Sequence, residues 1–446
     1  MTSFLIKNAQ IVDSGKIFFA DVLTKEDRIE KISGHISSLQ SNFTEINADG
    51  KILIPGIIDV HVHFREPGLT HKGDIFSESR AAVAGGITSF IEMPNTKPKT
   101  TSLEALEDKF EIAAQNSIAN YSFYMGATND NWDELMKAQS VGSPGIKVFL
   151  GASTGKMLVD DQDILEQIFR DYPAIIMVHA EDEGIINANL AKAKDKYGHK
   201  IPFALHAEIR SAQACYKASL EAVNQAKKYN SRLHIAHLST AHEIQLLDSN
   251  PDLINKKITS EVCSHHLWFD VNDYQLQDGK IKCNPSIKEE NHKIALLQAI
   301  NNDRIDLISS DHAPHTLDEK NQNYTSCPSG IPLVQHSLLM MLDLWKMKKI
   351  SLEKIVDKMC HNPAIAYHIN GRGFVQEGFK ADLCLVDPGT YSTVQPENIL
   401  YKCGWSPFEG YSFQNTISRT FVNGHLAYAE GGIFEGVSGE KLRFNY

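Results

Sequence analysis

Basic residues are in deficit: 44 Lys and Arg stand against 55 Asp and Glu, for a formal net charge of -11. A balance of that sign excludes nucleic acid or an anionic membrane as the main partner. It does not exclude a small anionic substrate, because a local cation can oppose the global field. The seven cysteines are an odd number and no two form a CxxC pair. Such scattered thiols exclude a disulfide framework and a zinc–thiolate site, and they read as reduced cysteines of a cytoplasmic protein. Met1 to Lys16 lacks a basic segment leading into a long apolar run, so no signal peptide is expected. Nor does any stretch have the apolar length that a bilayer span requires. What the chain does have is length, 446 residues of which 42% are hydrophobic. That is ample for one large domain with a smaller one attached.

Both ends read as short strands and turns. Phe4–Ile6, Gln10–Val12, Lys16–Phe19 and Arg28–Ile32 are apolar-rich and broken by polar residues or Gly; Asp382–Asp387, Thr416–Val422 and His425–Tyr428 resemble them. Residues 1–54 and 371–446 are therefore expected to pair into one small composite β-sandwich domain. Between them, over 55–370, eight apolar runs alternate with helix-like stretches. The runs are Ile57–Val62, Ser89–Glu92, Ser122–Met125, Ile146–Leu150, Ala174–His179, Leu233–His237, Ile258–Val262 and Asp306–Ser309. The helical stretches include Leu103–Gln115, Ile164–Arg170, Ser211–Lys228, Ala241–Leu247 and Asn291–Ile300. Strands alternating with helices make an α/β chain with a parallel sheet, and eight such units predict a closed (β/α)8 barrel. Active residues of such barrels sit at the C-terminal strand ends, and polar residues do follow these runs.

The first run ends in His61 and His63, two positions apart, so on a strand both imidazoles face the same way. Two imidazoles at a strand end make half of a divalent-metal site. Arg65 follows, a fixed cation suited to a carboxylate, although a surface salt bridge with Glu66 is its plainer reading. His179 and His237 end two further runs. Each alone reads as an ordinary hydrogen-bonded histidine; four at strand ends read as ligands, and two metals use four imidazoles better than one. Lys147 lies inside Gly145-Ile146-Lys147-Val148-Phe149-Leu150, where a charge is costly unless paired or discharged. It is either a salt-bridged or snorkelling lysine, or a neutral amine that captures carbon dioxide as an anionic carbamate able to bridge two cations. Asp311 is either a turn residue or a carboxylate that ligates metal and moves a proton. His234 is expected on the strand face opposite His237, and His265 and His266 stay undecided.

These residues carry a resemblance. Pro55 to Gly68, with His61-Val62-His63-Phe64-Arg65-Glu66-Pro67-Gly68, resembles the first signature of class I dihydroorotases in the amidohydrolase superfamily. Ser310-Asp311-His312-Ala313-Pro314-His315 resembles the second. Between them, Glu92-Met93-Pro94-Asn95-Thr96, Val178-His179-Ala180-Glu181 and Lys282-Cys283-Asn284-Pro285 also match. The resemblance implies two zinc ions, with His61, His63 and Asp311 at the first and His179 and His237 at the second. Carbamylated Lys147 and a hydroxide would bridge them. It implies reversible opening of dihydroorotate to N-carbamoyl-aspartate, a step of pyrimidine (UMP) biosynthesis, with Asp311 as the proton carrier. Arg65, Asn95, Asn284 and His315 would bind the substrate. A small molecule is the partner implied, and a homo-oligomer is compatible with it.

One segment departs from the family. Relatives read roughly Gly-x-x-Gly-x-Glu after the last strand, where this chain has Ser329-Gly330-Ile331-Pro332-Leu333-Val334-Gln335; the polar run 318–329 before it reads as a cover loop. Rival readings are a dihydropyrimidinase or allantoinase, whose substrates lack a ring carboxylate, and an inactive homologue acting as a scaffold. Allantoinases resemble the Glu-Pro-Gly segment but carry asparagine where Arg65 stands.

Overall fold

The computed structural model describes every residue except 1–2, 38–42, 152–156, 251 and 446. Of the expected terminal unit, residues 1–2, 38–42 and 446 thus lie outside the described ones. Eight parallel strands form the barrel: Ile57–Val62, Ile87–Glu92, Asn120–Phe123 continued by Met125–Gly126, Gly145–Phe149, Ile175–His179, Arg232–Ile235, Ile258–Cys263 and Leu307–Ser309. Neighbours pair in chain order. The ring closes where Val62 bridges His312 and the His63 N–H donates to the His312 carbonyl at 2.7 Å. The first five strands are buried along their whole length, which is why the sequence shows continuous apolar runs there and not an alternation.

Helices Leu103–Asn116, Gln162–Asp171, Ala212–Tyr229 and Glu290–Asn301 occupy four of the helical stretches. The Ser102, Asp161 and Ser211 side chains cap three of them by accepting first-turn N–H groups. Ala241–Leu247 is a correction: it forms only the 3-10 turn Glu243–Leu246. There the buried Glu243 carboxylate accepts from Ser219 Oγ at 2.7 Å and Thr240 Oγ1 at 2.8 Å. These bonds draw a charged side chain inward and offer the backbone an alternative to a helix.

The termini build one nine-stranded sheet, with Ile52–Pro55 and Leu383–Asp387 paired at its middle. Phe4–Asp13 is a single strand where the sequence suggested two, because Asn8 at φ 60 marks a register shift between Ile6 and Ala9 that the strand survives. One side of this sheet encloses its own core, including Phe4, Ile11, Val22, Leu385 and Phe421. The other side packs Val12, Ile54 and Val386 into the barrel's core. Residues 392–393 and 412–413 do not join the sheet and form a separate two-stranded ribbon. Trp405, from the loop between them, is fully buried and donates its indole N–H to the His315 carbonyl at 2.8 Å, so the C-terminal segment also supports the barrel mouth.

Candidate metal centre and anion pocket

The C-terminal strand ends open into a cavity of about 1050 Å³ whose lining includes His61, His63, Lys147, His179, His237 and Asp311. Six residues from five strand ends, far apart in the chain, thus reach one space. His61 Nε2 and His63 Nε2 stand 3.3 and 3.1 Å from the same Asp311 oxygen. Their ligand atoms converge closely enough to hold one metal ion. Across the cavity, His179 Nδ1 faces His237 Nε2 at 2.8 Å. Burial pushes the pKa of His63 down to about 4 and lowers those of His179 and His237, and so favours the neutral rings whose lone pairs a metal requires. Burial alone would raise the Asp311 carboxyl, but the His61 and His63 imidazoles outweigh it and keep Asp311 ionised.

Three of the four imidazoles are aimed by a partner behind them; among the described residues His237 Nδ1 has none. His61 Nδ1 bonds the buried Glu261 carboxylate, and His63 Nδ1 donates to Asn95 Oδ1 at 2.8 Å. His179 Nε2 donates to Glu181 at 2.9 Å, and Arg210 clamps Glu181 through its Nε and Nη2. Such partners fix the tautomer and the ring direction of a metal-binding histidine. Asp311 at φ 45, His237 at φ 38 and Arg65 at φ 72 hold left-handed backbone, which costs about 1–3 kcal/mol at such residues and clusters at functional sites. The sharp turn at His237 also corrects the expectation for His234. Strand alternation no longer applies beyond Ile235, and His234 sits inside the barrel, 3.5 Å from Glu261.

Lys147 is 1% exposed and its Nζ has no hydrogen-bond partner among the described residues. Burial lowers its pKa to about 8, with Glu261 and Asp311 opposing the shift. The salt-bridged and snorkelling readings are therefore not what the structure shows. An orphaned amine of lowered pKa in a cavity lined by four imidazoles fits a group that is modified or binds a cation through an added anion.

The other end of the cavity is cationic. Arg65 is 7% exposed and makes no ion pair with a carboxylate among the described residues, so the suggested bridge to Glu66 does not form. Glu66 instead accepts the Ile75 N–H at 2.9 Å. The Arg65 guanidinium donates to the Pro314 carbonyl at 3.0 Å and lies 3.0 Å from His315 Nε2. Burial lowers its pKa to about 10, which leaves it fully charged near neutral pH. Asn95 and Asn284 line the same cavity, and the Asn284 Oδ1 is buried without a partner among the described residues. Gly330 forms part of the wall at φ 146; a Cβ there would meet the Ala313 carbonyl at 2.4 Å and the His315 ring at 3.0 Å. Gly68 likewise admits Lys97, whose carbonyl would lie 1.8 Å from an added Cβ, and so seats the loop after the first strand against that after the second. The polar run 318–329 is anchored: the fully buried Lys320 Nζ donates to the carbonyls of Lys282, Pro328 and Gly330 at 2.8–3.1 Å.

Sequence reasoning missed Glu261, Glu181, Arg210 and Lys72. Glu261 gave the same signal as Lys147, a charge inside a barrel strand, and Glu181 stands two residues beyond His179. Arg210 and Lys72 lie in polar loops with no local signal. Of the undecided histidines, His266 donates to the Pro285 carbonyl at 3.1 Å beside Asn284, and His265 is buried near Asp311. Cys263, His265 and His266 form a second group whose ligand atoms converge within 4.8 Å.

Known proteins resemble this chain in sequence and fold. Residues 52–427 match the amidohydrolase family. The dihydroorotase of Pyrococcus furiosus is 33% identical over 442 residues, 97% of this chain and 96% of that protein. The dihydroorotase of Methanosarcina acetivorans is 31% identical over 421 residues, covering 92% and 89%. Among solved structures, the L-hydantoinase (dihydropyrimidinase) of Arthrobacter aurescens superposes with a TM-score of 0.92 at 28% identity, covering 97% of this chain and 98% of that one. Family match, relatives along nearly the full length and a shared barrel lead to one conclusion: the chain belongs to the metal-dependent amidohydrolase family, as a cyclic amidohydrolase.

Proposed function

We propose that the protein is a dihydroorotase, opening dihydroorotate reversibly to N-carbamoyl-aspartate in pyrimidine biosynthesis. The observation that carries this reading over a hydantoinase or an allantoinase is Arg65, buried at the cavity wall without a carboxylate of its own. A buried guanidinium is stable when an anion completes it, and dihydroorotate brings a carboxylate that takes no part in the reaction. Dihydrouracil and hydantoin bring none. The dihydroorotase relatives at 31–33% identity support the same choice.

The donor set fits two divalent metals, which we infer to be zinc. His61, His63 and Asp311 would hold one and His179 and His237 the other, with Lys147 as carbamate between them; the orphaned Lys147 amine is the observation favouring that modification. When bound, the metals supply Lewis acidity, which makes water a nucleophile near neutral pH and polarises the ring carbonyl. Asp311, ionised and at the mouth, takes the proton of the attacking water and returns it to the ring nitrogen as the C–N bond breaks. Arg65 holds the unreacting carboxylate. Asn95, fixed through its Oδ1 by His63, keeps its amide N–H groups for the same anion, and the unpartnered Asn284 Oδ1 accepts from the ring. His315 completes the anion pocket beside Arg65.

The division into a composite unit, 1–54 with 371–446, and a barrel, 55–370, belongs to the same proposal and is supported by the separate core of the terminal sheet. A cytoplasmic setting fits seven free cysteines, six of them buried. Among the described residues no helix is long and apolar enough to cross a membrane. The test is ring opening of dihydroorotate alongside metal content. Activity should scale with about two zinc per chain, vanish on chelation and return with zinc. Fully metallated protein without turnover would contradict the proposal.

A further inference from the structure

His315 is surrounded by more donors than an imidazole can accept. Arg65 Nη2 lies 3.0 Å from its Nε2, and Lys72 Nζ lies 2.9 Å from its Nδ1. Its Nε2 also lies 3.1 Å from the Ser329 carbonyl, and Glu319 is 3.5 Å from its Nδ1. A neutral imidazole has one N–H and one lone pair, and an imidazolium has two N–H groups and none. The charged form would set N–H groups against both flanking cations, and burial together with Arg65 pushes the His315 pKa well down.

The two neutral tautomers differ in how many contacts they spoil. With the proton on Nδ1, the lone pair of Nε2 accepts from Arg65 but faces the Ser329 carbonyl, and the Nδ1 proton faces the Lys72 ammonium. With the proton on Nε2, the ring donates to Ser329 and accepts from Lys72; only Arg65 Nη2 is left without its acceptor. Among the contacts of 3.1 Å or less, the second form spoils one and the first spoils two; the Glu319 carboxylate, 3.5 Å from Nδ1, is already held by Lys72 and the Thr316 N–H. Lys72 is itself held by Glu319 at 3.0 Å, and its side chain is 12% exposed at the cavity edge. In this form the His315 Nε2–H is taken up by the Ser329 carbonyl, and Arg65 Nη2, 3.0 Å from Nε2, keeps its hydrogen for another acceptor.

We propose that Lys72 is a positioning residue: by donating to His315 Nδ1 it keeps the proton on Nε2, where it bonds the Ser329 carbonyl, so that Arg65 Nη2 is not captured by the ring and stays free to donate to a carboxylate oxygen of the substrate. The assignment of that oxygen rests on the functional reading above; the tautomer does not. Without Lys72, the His315 proton moves to Nδ1 and the Nε2 lone pair captures Arg65 Nη2, removing a donor from the anion pocket. The carboxylate is held alike before and during the reaction, so the loss falls on KM and not on kcat.

The experiment uses metal-loaded protein labelled with 15N-histidine, with His315 assigned by the resonances lost in His315→Gln. Long-range correlations from the ring protons tell which nitrogen carries hydrogen, with no substrate present. The expected wild-type state is Nε2–H, changing to Nδ1–H in Lys72→Met. The same variant should raise the KM for dihydroorotate about 10-fold while kcat stays within about threefold. Lys72→Arg, which keeps a cationic donor, should restore the wild-type tautomer and most of the affinity. Nδ1–H in the wild type, or an unchanged tautomer and KM in Lys72→Met, overturns the role of Lys72. Failure of the wild type to open dihydroorotate overturns the functional reading alone, because the tautomer is measured without that substrate.

Discussion

Around His61 and His179 the buried imidazoles lean on buried carboxylates, Glu261 and Glu181; around Arg65, a few residues along the same strand end, the buried guanidinium leans on a carbonyl and an imidazole. Both regions share one cavity and one backbone turn, yet their charge is arranged in opposite senses. The first sets anionic oxygen behind imidazole nitrogen, which suits a cation placed in front. The second leaves a cation uncompensated, which suits an anion. The contrast explains how a chain of net charge -11 can present a pocket for an anionic substrate. It also separates the two ends experimentally, because chemistry, affinity and metal retention should respond to different substitutions.

The largest effect is expected at Asp311, which belongs to the metal end and, under the proposed function, also moves the proton. Asp311→Asn should lower kcat by about 10³-fold or more at every pH, and substantial turnover in that variant would remove it as the proton carrier. Next comes the anion end. Arg65→Met should cut kcat/KM for dihydroorotate about 100-fold through KM while zinc content, read by elemental analysis, stays unchanged. Loss of metal in that variant would break the separation of the two ends. Glu261→Gln should do the converse, weakening metal affinity about 10- to 100-fold in a chelator competition and leaving the KM of the reloaded enzyme near its wild-type value.

The smallest effect lies away from the mouth, where His361 joins Asp13 of the terminal sheet to Asp357 of the barrel side, each at 3.0 Å. Burial opposes its charge, but the two carboxylates outweigh burial and raise its pKa. A folded pKa above the unfolded one gives stability that is complete below about pH 6.5 and is lost as pH rises through the folded value. Wild-type Tm should therefore fall about 1–2 °C more than that of His361→Gln across that rise, with no matching change in turnover. A parallel loss of activity would tie this joint to the mouth.

The barrel and its metal end were legible because both rest on local patterns. Strands buried on both faces appear as apolar runs, and polar side chains directly after them mark the mouth. His61 and His63 could be read as a pair because they are two residues apart at one strand end. Parity failed for His234, since it assumes continuous extended backbone and His237 turns to φ 38. The partners behind the ligands were harder. Arg210 reaches Glu181 across 29 residues of chain, and Lys72 reaches His315 across 243, so nothing local marks either. The 3-10 turn at Glu243–Leu246 was hidden for a similar reason: the hydrogen bonds that draw Glu243 inward come partly from a helix 24 residues earlier.

Under the proposed function, Arg65 selects a substrate that carries its own carboxylate. Measuring kcat/KM for dihydroorotate and for dihydrouracil, in the zinc-loaded wild type and in Arg65→Met, tests this most directly. The wild type should prefer dihydroorotate by about 10³-fold, and Arg65→Met should lose about 100-fold of that preference without gaining on dihydrouracil. Wild-type protein that opens dihydrouracil as well as dihydroorotate, or a preference that survives the loss of Arg65, would contradict it.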